Sequence, residues 1–244
     1  LVGKYASNGR EAVSIVQMAA GVAVQDGRSI VRQQDIEWVL SSGQYDPHVL
    51  PNRPEENRPG INRGLAVFGP GQGTVLRVEA MVLPAKGRQG MLSVTGVMES
   101  EELDGGRRRM RRKSTALCSV ESVLTMLRNL AGLDFSDKDV HVNLPGGIPV
   151  EGPSAGLAIA MAIFSAAIGR PLDPGTAMTG EISLYGDVLP VGGVPVKIQA
   201  ALEAGLHRVL IPIANDQQRF RELPIEVVPV SGFEEALQCL QLGL

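Results

Sequence analysis

A chain of 244 residues with 44% hydrophobic content is long enough to bury a sizeable core as one large domain or two smaller ones, and with only 4% aromatics that core is built from Val, Ile, Leu and Ala. The formal net charge of -3 excludes a general pull toward nucleic acid or an anionic membrane surface. Two cysteines, Cys118 and Cys239, stand in unrelated contexts without CxxC spacing, and no signal peptide is evident, so free thiols in a soluble cytoplasmic protein are expected.

The chain opens at Leu1 instead of a methionine and reads as a piece from the middle of a longer protein. Within residues 9–25, Ala12, Ile15, Val16, Ala19, Ala20 and Ala23 recur at helical spacing, and Val31 to Leu40 reads as a second helix with Asp35 and Glu37 early in it. Residues 46–60 carry four prolines and little that could enter a core. The expected organisation is therefore a small all-helical unit over 1–45, a Pro-rich linker over 46–60 and a larger domain over 61–244.

From Arg63 onward the pattern changes to strands over 64–68, 74–83 and 91–97. The glycine-rich stretch Gly69 to Gly73 links two strands instead of opening a helix, so it is read as a hairpin turn and not as a phosphate loop. The basic run Arg107 to Lys113 follows Glu99, Glu101, Glu102 and Asp104 and has no interleaved aromatics, which argues for a solvated loop, a subunit contact or a substrate guide over nucleic-acid binding. Ser119 to Leu130 reads as a helix with Val120, Val123, Leu124 and Leu127 inward. Val140 to Leu144 reads as a strand in which His141 alternates with two valines, the pattern of a core or sheet-face histidine.

The stretch Gly146-Gly-Ile-Pro-Val-Glu-Gly-Pro-Ser-Ala-Gly156 delivers Ser154 to the start of an apolar segment running to Arg170. Pro153 fixes its own φ and pushes Gly152 toward extended geometry, so a helix is expected to begin at or next to Ser154. First-turn backbone N–H groups there have no intrahelical partner and sit at the positive end of the dipole, which suits them to an oxyanion. The segment is apolar on all sides and is expected to be buried, while it is too short and too alanine-rich for a membrane span. A plain serine N-cap is the alternative.

A second feature shifts the balance. In Gly192-Gly-Val-Pro-Val-Lys-Ile-Gln-Ala-Ala-Leu-Glu-Ala-Gly205, Pro195 suits a first helical position and Gly205 a C-terminal cap. Val194, Ile198, Ala201, Leu202 and Gly205 line the inward face, and Lys197 borders that stripe. Its amine either snorkels to water or ends in an apolar pocket, where desolvation lowers its pKa toward that of a general base. With Ser154 it would form a Ser-Lys dyad, one of the known replacements for Ser-His-Asp. Two further strands over 208–213 and 225–230 and a closing helix from Phe233 to Leu240 complete an α/β fold on a mixed sheet.

The motifs GPSAG (152–156), MTGEISLYGDVLPVGG (178–193) and Lys197 resemble the signature of the Lon protease family, and the similarity covers nearly the whole chain. Lys4-Tyr-Ala-Ser-Asn-Gly-Arg-Glu-Ala-Val13 and Leu144-Pro-Gly-Gly-Ile-Pro-Val150 most resemble the LonB branch of spore-forming bacteria. The resemblance implies a Lon-type α/β (α+β) proteolytic domain with mixed sheets preceded by the all-α lid of an AAA+ module. It also implies ATP-dependent endoproteolysis of unfolded polypeptide by a serine nucleophile and a lysine base, in a homohexameric ring. By the same resemblance Thr179 contacts and orients the lysine amine, His141 lies near the active site and Glu151 pairs with the lysine or shields the serine. Arg10 becomes a candidate sensor arginine for ATP. No G-x-x-x-x-G-K-[ST] sequence occurs, so ATP and Mg would be held by an AAA+ large subdomain absent from these residues, and this piece needs no cofactor of its own. One departure is visible: many members carry charged residues just before the lysine, where this chain has Val194-Pro195-Val196.

Two rivals remain open at this level. Gly152-Pro-Ser-Ala-Gly156 also satisfies G-x-S-x-G, and Asp187 and His207 follow in the order of an α/β-hydrolase esterase, although no HGGG-type segment precedes the serine. A non-catalytic assembly module would keep the fold for partner binding, which the joint presence of Ser154, Lys197 and Thr179 argues against.

Overall fold

The computed structural model describes residues 1–6, 9–43, 45, 57–69, 71–96, 115–145 and 153–242. Two compact units emerge, Leu1–Pro51 and Asn52–Leu244. In the first, α1 (Gly9–Gln25) packs on α2 (Gln33–Ser42) through Ile15, Ala19, Val39 and Leu40. Val16, which the spacing places inward, is 45% exposed. The second helix starts two residues later than expected, with Arg32 as its N-cap residue and Asp35, three residues on, accepting from the Arg32 N–H at 2.7 Å. Asp35 is itself buried, and Arg28 donates to both of its oxygens at 2.9 and 2.6 Å. That fork, with the Arg32 N–H, holds the carboxyl down to about 2.

The second unit is built on a seven-stranded sheet. Its strands are β1 (Ile61–Gly69), β2 (Gln72–Pro84), β3 (Leu92–Thr95), β4 (Lys138–Asn143), β5 (Thr176–Met178), β8 (Arg208–Pro212) and β9 (Glu226–Val230). Their order is β3-β4-β2-β1-β5-β8-β9, parallel except at the β1–β2 and β2–β4 pairs. A separate two-stranded hairpin joins β6 (Glu181–Ile182) to β7 (Val188–Leu189). The glycine-rich stretch after β1 is a hairpin turn, as expected, with Gly69 opposite Gln72 and a register shift after Val67. A Cβ on Gly73 would lie 2.5 Å from the Val196 carbonyl, so glycine at that position lets β2 close up on the backbone of the lysine helix.

Successive strand residues point to opposite faces, and each face has its own helices. On one, α3 (Thr115–Ala131), α4 (Gly156–Ile168) and α6 (Phe233–Cys239) cover Val78, Ala80, Val140, Val142, Met178 and Leu210. On the other, α5 (Val194–Glu203) covers Leu65, Val75, Ala177, Val209 and Ile211. The apolar segment after Ser154 becomes α4, buried from Gly156 through Ser165, and Phe164 meets Phe233 of α6 edge-on at 5.7 Å. Gly60, at the end of the proline-rich stretch, is buried and donates its N–H to Ser165 at 2.9 Å, although little in that stretch looks fit for a core.

Among the described residues no helix is long and apolar enough to cross a membrane, and no cluster of His, Cys, Asp and Glu could hold a metal ion. Cys118 and Cys239 are free thiols. The basic run Arg107–Lys113 lies outside the described residues.

Candidate active site

Ser154 sits in a 3-10 turn, Pro153–Ala155, that leads directly into α4. The helix proper thus begins two residues after the serine, with no side-chain cap, so Ser154 is not an N-cap. Its side of the site is fixed by backbone. The Ser154 carbonyl accepts the Gly180 N–H at 2.9 Å, and the Gly180 carbonyl accepts the Leu157 N–H at 2.9 Å. The reciprocal pair bolts the first turn of α4 to the end of β5, and the Leu157 N–H is thereby spent. An oxyanion bound here would therefore draw its donors from nearer the serine, at Ser154 itself or its immediate neighbour.

The lock depends on close approach. A Cβ on Gly156 would lie 2.9 Å from the Ile182 backbone nitrogen, so any side chain there forces α4 off β6. Gly156→Ala is expected to destabilise the fold by about 1–3 kcal/mol, a loss read directly from thermal unfolding. A wild-type melting curve for that variant would contradict the packing described.

Thr179 continues β5 by one residue, its N–H donating to the Leu210 carbonyl of β8 at 3.0 Å. It is completely buried. Here the two faces of the sheet meet: the Thr179 hydroxyl donates to the Ser154 carbonyl at 3.2 Å and accepts from Lys197 Nζ at 3.0 Å. Lys197 comes from the first turns of α5, entered through Gly193 in the left-handed region with Pro195 close behind. It does not snorkel. The residue is only 2% exposed, and burial pulls its ammonium from 10.5 down to about 8. An amine with that pKa supplies a substantial neutral fraction near physiological pH, as a general base requires.

Ser154 itself is half-buried, whereas Lys197 is buried. Val194, Ile198 and Ala201 face inward as the periodicity predicts, whereas Gly205 is an exposed left-handed residue that ends the helix. Asn215 is a feature that sequence reasoning missed. Its amide brackets Val191, accepting from the N–H at 2.9 Å and donating to the carbonyl at 3.1 Å, as a strand neighbour would. That fixes the approach to Gly193 and so to the lysine helix. No local signal points to it, because the partners are far apart in the chain. Gly180 carried a legible hint, a glycine closing a buried strand, which marks close backbone approach.

Of the other sequence candidates, Glu151 lies outside the described residues. His141 is exposed on β4, its Nε2 3.0 Å from Thr95 Oγ1, so it is a sheet-face histidine and not a core one. Arg10 is exposed in the first turn of α1, in the separate helical unit. The esterase set is not assembled: His207 Nε2 lies 3.0 Å from Asp173, while Asp187 accepts from Ser183 at 2.8 Å.

Comparison with known proteins places the chain in a family. A family model described as the Lon protease (S16) C-terminal proteolytic domain matches residues 30–238. The chain is 46% identical over 238 residues to Lon protease 2 of Bacillus subtilis (strain 168), covering 97% of this chain and 43% of that protein. It is 33% identical over 247 residues to the archaeal Lon protease of Pyrococcus abyssi, covering 94% of this chain and 23% of the relative. Lon protease 1 of Thermus thermophilus is 35% identical over 210 residues, 83% of this chain and 24% of its own length. The chain therefore spans less than half the length of these relatives.

Proposed function

The chain belongs to the Lon protease family, and from that membership we propose that it forms the peptide-cleaving part of an ATP-dependent serine endopeptidase in which Ser154 is the nucleophile and Lys197 the base. The observation that carries this reading is the buried amine of low pKa joined through Thr179 to the Ser154 segment. Neutral Lys197 takes the Ser154 proton, and the alkoxide attacks the peptide carbonyl. Backbone N–H groups at the serine hold the tetrahedral oxyanion. The protonated lysine then gives its proton to the leaving amine, and water repeats the cycle on the acyl-enzyme. Thr179 keeps the amine aligned by accepting one of its N–H bonds, leaving the lone pair for the serine.

The remaining roles follow from the family. The helical unit would serve as the lid of an AAA+ module, with Arg10 as a sensor for ATP and Mg held by a large subdomain outside this chain. Rings of six copies would admit unfolded polypeptide, and Glu151 would pair with the lysine in a resting state. Degradation of casein by the complete enzyme with and without ATP, together with blocking by a peptide boronate, tests the reading. Casein that survives with ATP present, from an enzyme that takes up no boronate, would sink it.

A serine-lysine mechanism gives His207 no part. His207→Ala is expected to keep peptidase turnover within about twofold, as for a surface substitution away from the chemistry. An esterase built on G-x-S-x-G would lose its base, so collapse of turnover in that variant would restore the rival.

A further inference from the structure

Asn62 is a buried amide on the face of β1 that α4 covers, only 3% exposed, beside Val78 of the neighbouring strand. Its Nδ2 donates to the Ala158 carbonyl at 2.9 Å and to Met178 Sδ at 3.2 Å, and its Oδ1 accepts the Arg63 N–H at 2.8 Å. A carbonyl on one side and an N–H on the other fix which way the amide points. Ala158 stands one helical turn beyond Ser154 on α4, and Met178 immediately precedes Thr179. A single side chain from a third element thus touches both segments whose alignment the proposed chemistry needs.

We propose that Asn62 is a positioning residue of the peptidase site, setting the spacing between α4 and the end of β5 and through it the line from Ser154 to Thr179 to Lys197. The inference rests on the reading of Ser154 and Lys197 as the reacting pair. The backbone lock at Gly180 and the Thr179 hydroxyl hold the Ser154 end of this segment. Asn62 adds a side-chain tie a turn further along that reaches α4 and β5 at once. An apolar residue of similar size would remove the acceptor of the Arg63 N–H and the donor to Ala158 and Met178 together, so a substitution here lowers stability as well as alignment, and kcat measured on folded enzyme separates the two.

The test uses the complete enzyme and a short fluorogenic peptide, which needs no unfolding. Asn62→Leu is expected to keep a wild-type circular dichroism spectrum, with kcat down about ten- to a hundredfold and KM within twofold, the signature of misalignment rather than lost binding. The alkaline rise in rate should move to lower pH, because a misaligned Thr179 no longer stabilises the lysine ammonium. In a Thr179→Val background the same change should cost little more, since both act along one line. Met178→Leu conserves volume and removes only the sulfur acceptor, so it reads the same effect if Asn62→Leu does not fold, and a kcat loss of a few fold is expected. An unchanged kcat in folded Asn62→Leu, an unchanged kcat in Met178→Leu where Asn62→Leu is unfolded, or a full multiplicative loss on top of Thr179→Val would each overturn the proposal. An unsubstituted enzyme that fails to cleave the peptide would instead strike the peptidase reading itself.

Discussion

Lys197→Met is expected to lower peptide turnover by about a thousandfold while making the protein harder to unfold. The two effects have one cause. A nearly isosteric apolar side chain fills the same pocket, but it cannot take a proton from Ser154, so the chemistry stops. The stability gain follows from linkage. Lys197 has a folded pKa of about 8 against 10.5 for a free lysine, so between those values the unfolded chain holds more protons than the folded one. Stability of the natural protein therefore rises with pH across that window, and below about 8 the full cost of a buried ammonium is present. The depression corresponds to on the order of 3 kcal/mol. Urea titration of both forms at pH 7 and at pH 10 checks it: the methionine variant should lead at pH 7 and lose most of that lead by pH 10. The same pKa sets the rate profile, with peptidase activity climbing as the amine deprotonates near pH 8. A rate flat through the alkaline range, or normal turnover in the variant, would remove Lys197 from the mechanism.

Ser154→Ala should be as damaging to activity and should leave the fold untouched. Turnover is expected to fall by at least about a thousandfold, the scale for removing a nucleophile whose partners remain. Stability should hold because the bonds that fasten this residue run through its carbonyl, which accepts from Gly180 and from Thr179 and is the same in alanine. The variant should also lose covalent uptake of a peptide chloromethyl ketone, measured by intact mass. Retention of that label would place the reactive group elsewhere.

Much of the site was legible because its parts are local patterns. A Gly-Pro-Ser ahead of a fully apolar helix, and a lysine at the margin of an inward stripe behind a Gly-Gly-Val-Pro turn, each have a meaning in a few consecutive residues. Where local reading failed, long-range geometry decided. The serine is not the helix cap: its carbonyl accepts from Gly180, outside the helix, and α4 begins at Gly156 after a 3-10 turn. Val16 is exposed although its spacing suits a core, since periodicity names a face without saying what covers each position of it. Gly60 is drawn into the core by Ser165, more than a hundred residues away in the chain. The first-turn N–H of Leu157 looks free in sequence and is occupied in the fold, which narrows the oxyanion donors.

Composition, period and the torsional habits of Gly and Pro are enough to name the kinds of element and the two candidate reacting groups, and to exclude a phosphate loop. The state of the lysine is a property of the assembled fold. A pKa near 8 comes from the near-complete burial of the amine, and no run of neighbouring residues encodes that. The same holds for Thr179, whose hydroxyl matters because elements from opposite faces of one sheet converge on the residue that ends β5.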